Sequence, residues 1–166
     1  MNMRHLLKKA TDANDAKADY FVSIHRNSSP MPNQYTGVET LVYNNSGIKS
    51  QMAANINSEL EKAGFKNLGI TERPNLVVLK RTKMPAVLVE AGFINNDKDN
   101  ETFDKNFNQI ANGIADGILK TLGIKPKTNN TTAQAASGEV SSVKSDSAKS
   151  AEIMPAACEK KPSASC

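Results

Sequence analysis

A short, unbroken apolar run, Ala86-Val87-Leu88-Val89, ends at a carboxylate, Glu90, and then, past Ala91, at the turn-permitting Gly92. Such a run reads as a buried strand. In open α/β sheets ligands sit beyond the carboxyl ends of the strands, so an acid at that position has a physical reason to be chemical. Residues Ala18 to His25 read as a second strand, closing in Ser23-Ile24-His25. Tyr20, Val22 and Ile24 face one way and Phe21, Ser23 and His25 the other. Bulky apolar groups in both sets predict an interior strand, covered on both faces. If the two strands run in the same direction, the imidazole and the acid meet in one cleft.

The rest of the chain supplies the layers. Met3 to Ala16 reads as a helix, with Leu6, Leu7, Ala10 and Ala13 or Asn14 at helical spacing. Asn27 to Gln34, with Pro30 and Pro32, is a loop. Gly37 to Tyr43 alternates as a strand, nearer an edge because one face carries Glu39. In Lys49 to Ala63, the stripe Ile48, Met52, Ile56 and Leu60 makes an amphipathic helix; Ser46 or Ser50 can cap it and Gly64 can close it. Lys66 to Pro74 reads as irregular and Leu76 to Lys80 as a short strand. Asp99 or Asn100 is the expected cap of a last helix, whose stripe runs Phe103, Phe107, Ile110, Ala111, Ile114, Ile118, Leu122 until Gly123 closes it and Pro126 prevents continuation. This alternation predicts an α/β fold with a largely parallel sheet. From Lys125 to Cys166 the chain is rich in Ser, Ala, Thr, Asn and Lys, which predicts a disordered tail after a domain over residues 1–124.

Bulk properties exclude some function classes. The net charge of +4 suits an anionic partner such as cell-wall polymer or nucleic acid. Trp is absent and no basic run is interleaved with aromatics, which argues against a nucleic-acid platform. No apolar stretch is long enough to span a membrane, and Met1 to Leu7 lacks the apolar region of a signal peptide. Cys158 and Cys166 both lie in the tail, where a disulfide would staple nothing to the core.

His25 and Glu90 carry the chemistry as a pair. A neutral imidazole suits zinc. A nearby carboxylate suits a general base that takes a proton from metal-bound water and returns it to a leaving amine, which is how an amide is cut. Around them, Glu39 is either a sheet-edge charge or a partner that holds another site residue. Asn27 either orients substrate or serves a turn. Arg73, with Glu72, either lines the cleft or is a solvated loop residue. Lys80, Arg81 and Lys83 read as a wet face, and His5 is assigned nothing.

Three ordered segments resemble the zinc-dependent N-acetylmuramoyl-L-alanine amidases: Ala18-Asp19-Tyr20-Phe21-Val22-Ser23-Ile24-His25-Arg26-Asn27, then Gly37-Val38-Glu39-Thr40, then Pro85-Ala86-Val87-Leu88-Val89-Glu90-Ala91-Gly92-Phe93-Ile94-Asn95-Asn96. Arg73 to Leu79 and the spacing of Leu7 to Asn14 fit the same pattern. The resemblance implies hydrolysis of the amide between N-acetylmuramic acid and the L-alanine of the peptidoglycan stem peptide. It makes His25 a zinc ligand and Glu90 the catalytic acid/base. It implies a largely parallel or mixed sheet flanked by helices, peptidoglycan as partner and an extracellular or cell-wall location. The family pattern opens with a strand, a Gly-His-Gly-Gly turn and a helix Glu, and neither of these further zinc ligands is found here, so two of three expected protein ligands are missing. The expectation is an N-terminally truncated amidase domain lacking the family's first strands. The alternative is an inactive remnant that binds cell-wall glycan or a partner without cleavage.

Overall fold

A computed structural model describes residues 3–125. The expected disorder of the tail, Cys158 and Cys166 lie outside the described residues. In chain order the elements are α1 (Met3–Asp15), β1 (Phe21–Asn27), β2 (Val38–Val42), α2 (Gly47–Lys62), β3 (Asn67–Glu72), α3 (Val77–Lys80), β4 (Ala86–Phe93), α4 (Asp97–Lys105) and α5 (Phe107–Thr121). The strands form one four-stranded sheet in the order β1-β4-β2-β3. β1 pairs parallel with β4 and β2 parallel with β3, while β2 and β4 run antiparallel, so the sheet is mixed.

β4 is buried along its whole length, as its unbroken apolar run requires. One face of the sheet sends Val38, Val42, Val87 and Val89 against Met52, Ile56 and Leu60 of α2 and Ile110 and Ile114 of α5. Helices α2 and α5 cross closely, because a Cβ on Gly117 would stand 2.6 Å from the Ile56 Cα. The other face sends Leu41, Ala86 and Leu88 against Val78 and Leu79 of α3, with Leu6 and Phe21 packed beside them. Asn14 ties α1 to the end of α3: its Nδ2 donates to the Arg81 carbonyl at 2.9 Å and its Oδ1 accepts from the Lys83 N–H at 2.9 Å.

Several local expectations are corrected. The stretch Lys66 to Pro74 contains strand β3, at the far edge of the sheet. Its conformation is set by pairing rather than by pattern: it aligns with β2, and the buried Asn57 amide donates to the Gly69 carbonyl at 2.6 Å. Leu76 to Lys80 is a helical turn, not a strand. Its consecutive residues Val78 and Leu79 are both buried in one cluster, whereas a strand would send them to opposite faces. The last helix is two helices, broken at Asn106, whose Nδ2 donates to the Ala63 carbonyl at 3.0 Å. The cap of α4 is Asn96, whose side chain accepts from the Asp99 N–H. Ser46 occupies the cap position of α2 but makes no side-chain bond there, and Gly64 takes the left-handed conformation at φ 103°.

β1 is also corrected. It is an edge strand, paired among the described residues only with β4. Val22 and Phe21 still pack against the core on the two faces, but Ile24, nearer the end of the strand, is 59% exposed.

Candidate active site

The side chains of Ala86, Leu88 and Glu90 share one face of β4, by the two-residue period of a strand. The first two are covered by α3 and its neighbours. Glu90 comes next, past that cover. His25 is the register partner of Glu90 on the parallel neighbour β1, and Glu39 is its register partner on the antiparallel neighbour β2. Imidazole and carboxyl therefore lie side by side in the carboxyl-terminal halves of β1 and β4.

Immediately beyond Glu90 the pairing slips, since His25 aligns with Glu90 but Asn27 aligns with Phe93. The extra residue on β4 is a bulge that needs a left-handed backbone, supplied by Gly92 at φ 82°. A Cβ there would stand 2.8 Å from the Phe65 ring. Bulges of this kind end the pairing and re-aim the chain beside a site. The chain beyond is held by Asp99, which is 2% exposed. Its carboxylate accepts from Thr36 Oγ1 at 2.6 Å, the Gly37 N–H at 2.9 Å and the Phe93 N–H at 2.7 Å. On the opposite face Arg26 stacks 4.3 Å from the Phe103 ring centroid and donates to Asn100 at 2.7 Å, fixing the end of β1 to α4.

Glu90 is 3% exposed, and its Oε2 is buried with no hydrogen-bond partner. Burial, with the negative charge of Glu39 second, pushes its carboxyl up to about 7. A carboxyl poised there can both take and give a proton near neutral pH. His25 is half-buried, and its Nε2 lies 2.8 Å from Ser23 Oγ, two residues back on the same face. Burial, and then the charge of Lys9, hold the imidazole below its ordinary value, so it is neutral and its Nδ1 has a free lone pair or proton according to tautomer. Glu39 accepts from Asn27 Nδ2 at 2.8 Å and from Thr71 Oγ1 at 2.8 Å. The Asn27 side-chain oxygen in turn accepts from the Ser28 N–H at 2.8 Å.

The structure thus brings His25, Glu90, Glu39 and Asn27 together, with the Asn27 amide spent on Glu39 and on its own turn. It does not bring Arg73 to them. Arg73 is exposed and donates its N–H to the Val42 carbonyl at 2.7 Å. Val42 pairs with Val87, at the opposite end of β4 from Glu90. Ser23 and Thr71 are the participants that sequence reasoning did not assign. Ser23 carried a signal, its shared face with His25. Thr71 sat in a stretch read as irregular.

A zinc ion is implied for this kind of site, so the donor set has to be tested against it. Among the described residues no three His, Cys, Asp or Glu side chains come together as a metal cage. His25 offers one nitrogen, and Glu39 has both oxygens engaged by neutral donors. A catalytic zinc takes three protein ligands and an open position. Residues 3–125 by themselves do not fit that requirement.

A family model described as N-acetylmuramoyl-L-alanine amidase matches residues 3–120. Members of that family are generally zinc-dependent. Among curated relatives, an endolysin of Bacillus phage SPP1 is 36% identical over 129 residues, covering 74% of this chain and 47% of the relative. N-acetylmuramoyl-L-alanine amidase CwlM of Bacillus licheniformis is 32% identical over 123 residues, covering 72% and 47%. The chain therefore spans about half the length of the curated relatives it matches. Among solved structures, the catalytic domain of CwlV, an N-acetylmuramoyl-L-alanine amidase from Bacillus (Paenibacillus) polymyxa var. colistinus, matches with a TM-score of 0.63 at 36% identity, covering 72% of this chain and 66% of that one. An N-acetylmuramoyl-L-alanine amidase from Clostridium difficile 630 matches with a TM-score of 0.65 at 34% identity, covering 73% and 67%. With the family model running from the first described helix to the end of the last, this chain belongs to the N-acetylmuramoyl-L-alanine amidase family.

Proposed function

We propose that the protein hydrolyses the amide between N-acetylmuramic acid and L-alanine in peptidoglycan, with Glu90 as the acid/base. The observation that carries this reading is the buried, unpartnered Oε2 of Glu90 in register with His25 in the carboxyl-terminal halves of two parallel strands. In the reaction the oxygen of water adds to the amide carbonyl, the C–N bond breaks, and the departing amine takes a proton. A carboxyl group pushed up to about 7 can accept the proton lost by water and pass it to that nitrogen, returning to its starting state. His25 is assigned to the metal, as one ligand of a set completed from outside residues 3–125. Asn27 and Glu39 act on Glu90's surroundings rather than on the metal. Residues 1–124 are taken as the part of a catalytic domain that this chain supplies. The reading puts the substrate, and hence the place of action, in the cell wall; no helix of the described residues is long and apolar enough to cross a membrane.

The test is digestion of purified peptidoglycan with zinc in excess, followed by mass spectrometry and end-group analysis. The expected product is stem peptide with a new L-alanine amino terminus, formed about 10²–10⁴-fold more slowly by the Glu90→Gln variant. New reducing sugar ends, or new amino ends on other residues, would overturn the assignment. Binding to the wall with no new ends would assign the chain a binding role instead.

A further inference from the structure

Two carboxyl groups side by side ordinarily engage each other, one donating its proton to the other in a hydrogen bond. Glu39 and Glu90 are register partners on adjacent strands, yet Glu90 Oε2 has no partner. The contacts of Glu39 explain this. In the order β1-β4-β2-β3, Asn27 stands on β1, Glu39 on β2 and Thr71 on β3. The Asn27–Glu39 hydrogen bond must therefore cross over β4, next to Glu90. Asn27 aligns with Phe93 and Glu39 with Glu90, so between those rungs β4 carries only Ala91 and the side-chain-free Gly92. The bulge clears the way for the bridge. With Asn27 Nδ2 on one oxygen of Glu39 and Thr71 Oγ1 on the other, each at 2.8 Å, the carboxylate is held in one orientation between β1 and β3.

We propose that the Asn27–Glu39–Thr71 bridge is a positioning device: by holding each oxygen of Glu39 on another partner it fixes the orientation of that carboxylate, keeps it from turning to capture Glu90, and so leaves the buried Glu90 Oε2 without a partner. Thr71, on the edge strand far from His25, is then a positioning residue acting through Glu39. This rests on the reading of Glu90 as the acid/base.

Thr71→Val keeps the shape of the side chain and removes the donor, while Thr71→Ser keeps the donor. Two measurements decide the matter. In peptidoglycan hydrolysis Thr71→Val lowers kcat about tenfold with KM within about twofold, because the lost group acts on the proton carrier and not on substrate binding; Thr71→Ser stays within about twofold of the parent in both. Three-bond NMR couplings, which need no turnover, report the rotamers of Glu39 and Glu90. Each holds one rotamer in the parent and in Thr71→Ser, and Glu39 changes rotamer in Thr71→Val while thermal unfolding shows the variant folded. Unchanged couplings and kcat in Thr71→Val would overturn the proposal. So would a Thr71→Ser variant as impaired as Thr71→Val, which would make the effect one of packing. If the parent cuts no peptidoglycan, the proposed function fails while the couplings still decide the role of the bridge.

Discussion

The cost of keeping Glu90 buried can be measured directly. An unfolded chain holds this carboxyl at its ordinary 4.5, whereas the folded site pushes it up to about 7. At about 1.4 kcal/mol per pH unit, that difference penalises the ionised folded state by about 3 kcal/mol. The sign follows from which state binds the proton more tightly. Below pH 4.5 both states are protonated and the penalty is absent. As pH rises toward 7 only the unfolded state releases its proton, so stability drains away, and above 7 the loss is complete. Glu90→Gln keeps the size of the side chain and removes the charge. Urea unfolding with a chelator present, so that no metal reaches His25, should show the variant equal to the parent at pH 4. At pH 8.5 it should be more stable by up to about 3 kcal/mol. The difference between the two proteins isolates Glu90 from His25, whose lowered proton affinity works the other way and removes stability as pH falls. A stability difference that is the same at both pH values would refute the reasoning, because it would show that Glu90 is not held protonated by burial.

Three other outcomes follow from the packing and the donor set. Gly117→Ala puts a methyl group against backbone of α2, 2.6 Å from the Ile56 Cα, so the helices must separate; chemical denaturation should show a loss of about 1–3 kcal/mol. Asp99→Ala strands the buried N–H groups of Gly37 and Phe93 together with the Thr36 hydroxyl, and should cost at least about 3 kcal/mol by the same assay, with Asp99→Asn costing less. Zinc added to a polypeptide of residues 3–125 and followed by desalting should remain at well below one equivalent by elemental analysis, and His25→Ala should lower even that; tight stoichiometric zinc would show that other ligands within those residues converge on His25.

The pair of strands that ends in His25 and Glu90 was legible in the sequence because burial leaves a pattern that needs no partner to be read. Ala86 to Val89 reads as a covered strand, bounded by Pro85 and Gly92, and a carboxyl or imidazole at a strand's end stands out against apolar neighbours. The amphipathic stripe of α2 was legible for the same reason. What could not be read locally was anything decided by a neighbour. β3 is polar and contains Gly69, and it is a strand because β2 and Asn57 hold it. α3 is short and apolar enough to be either state, and the shared burial of Val78 and Leu79 chose the helix. β1 carries the composition of an interior strand, but pairing partners, not composition, fix a strand's place in the sheet. At the site, residue types alone determined that a proton carrier and a metal-binding nitrogen were on offer. Only the tertiary structure decided that they share a rung, that Glu39 is locked by Asn27 and Thr71, and that Arg73 stands at the other end of β4. The reason is physical: side-chain chemistry belongs to each residue, whereas register and hydrogen-bond partners are relations between segments far apart in the chain.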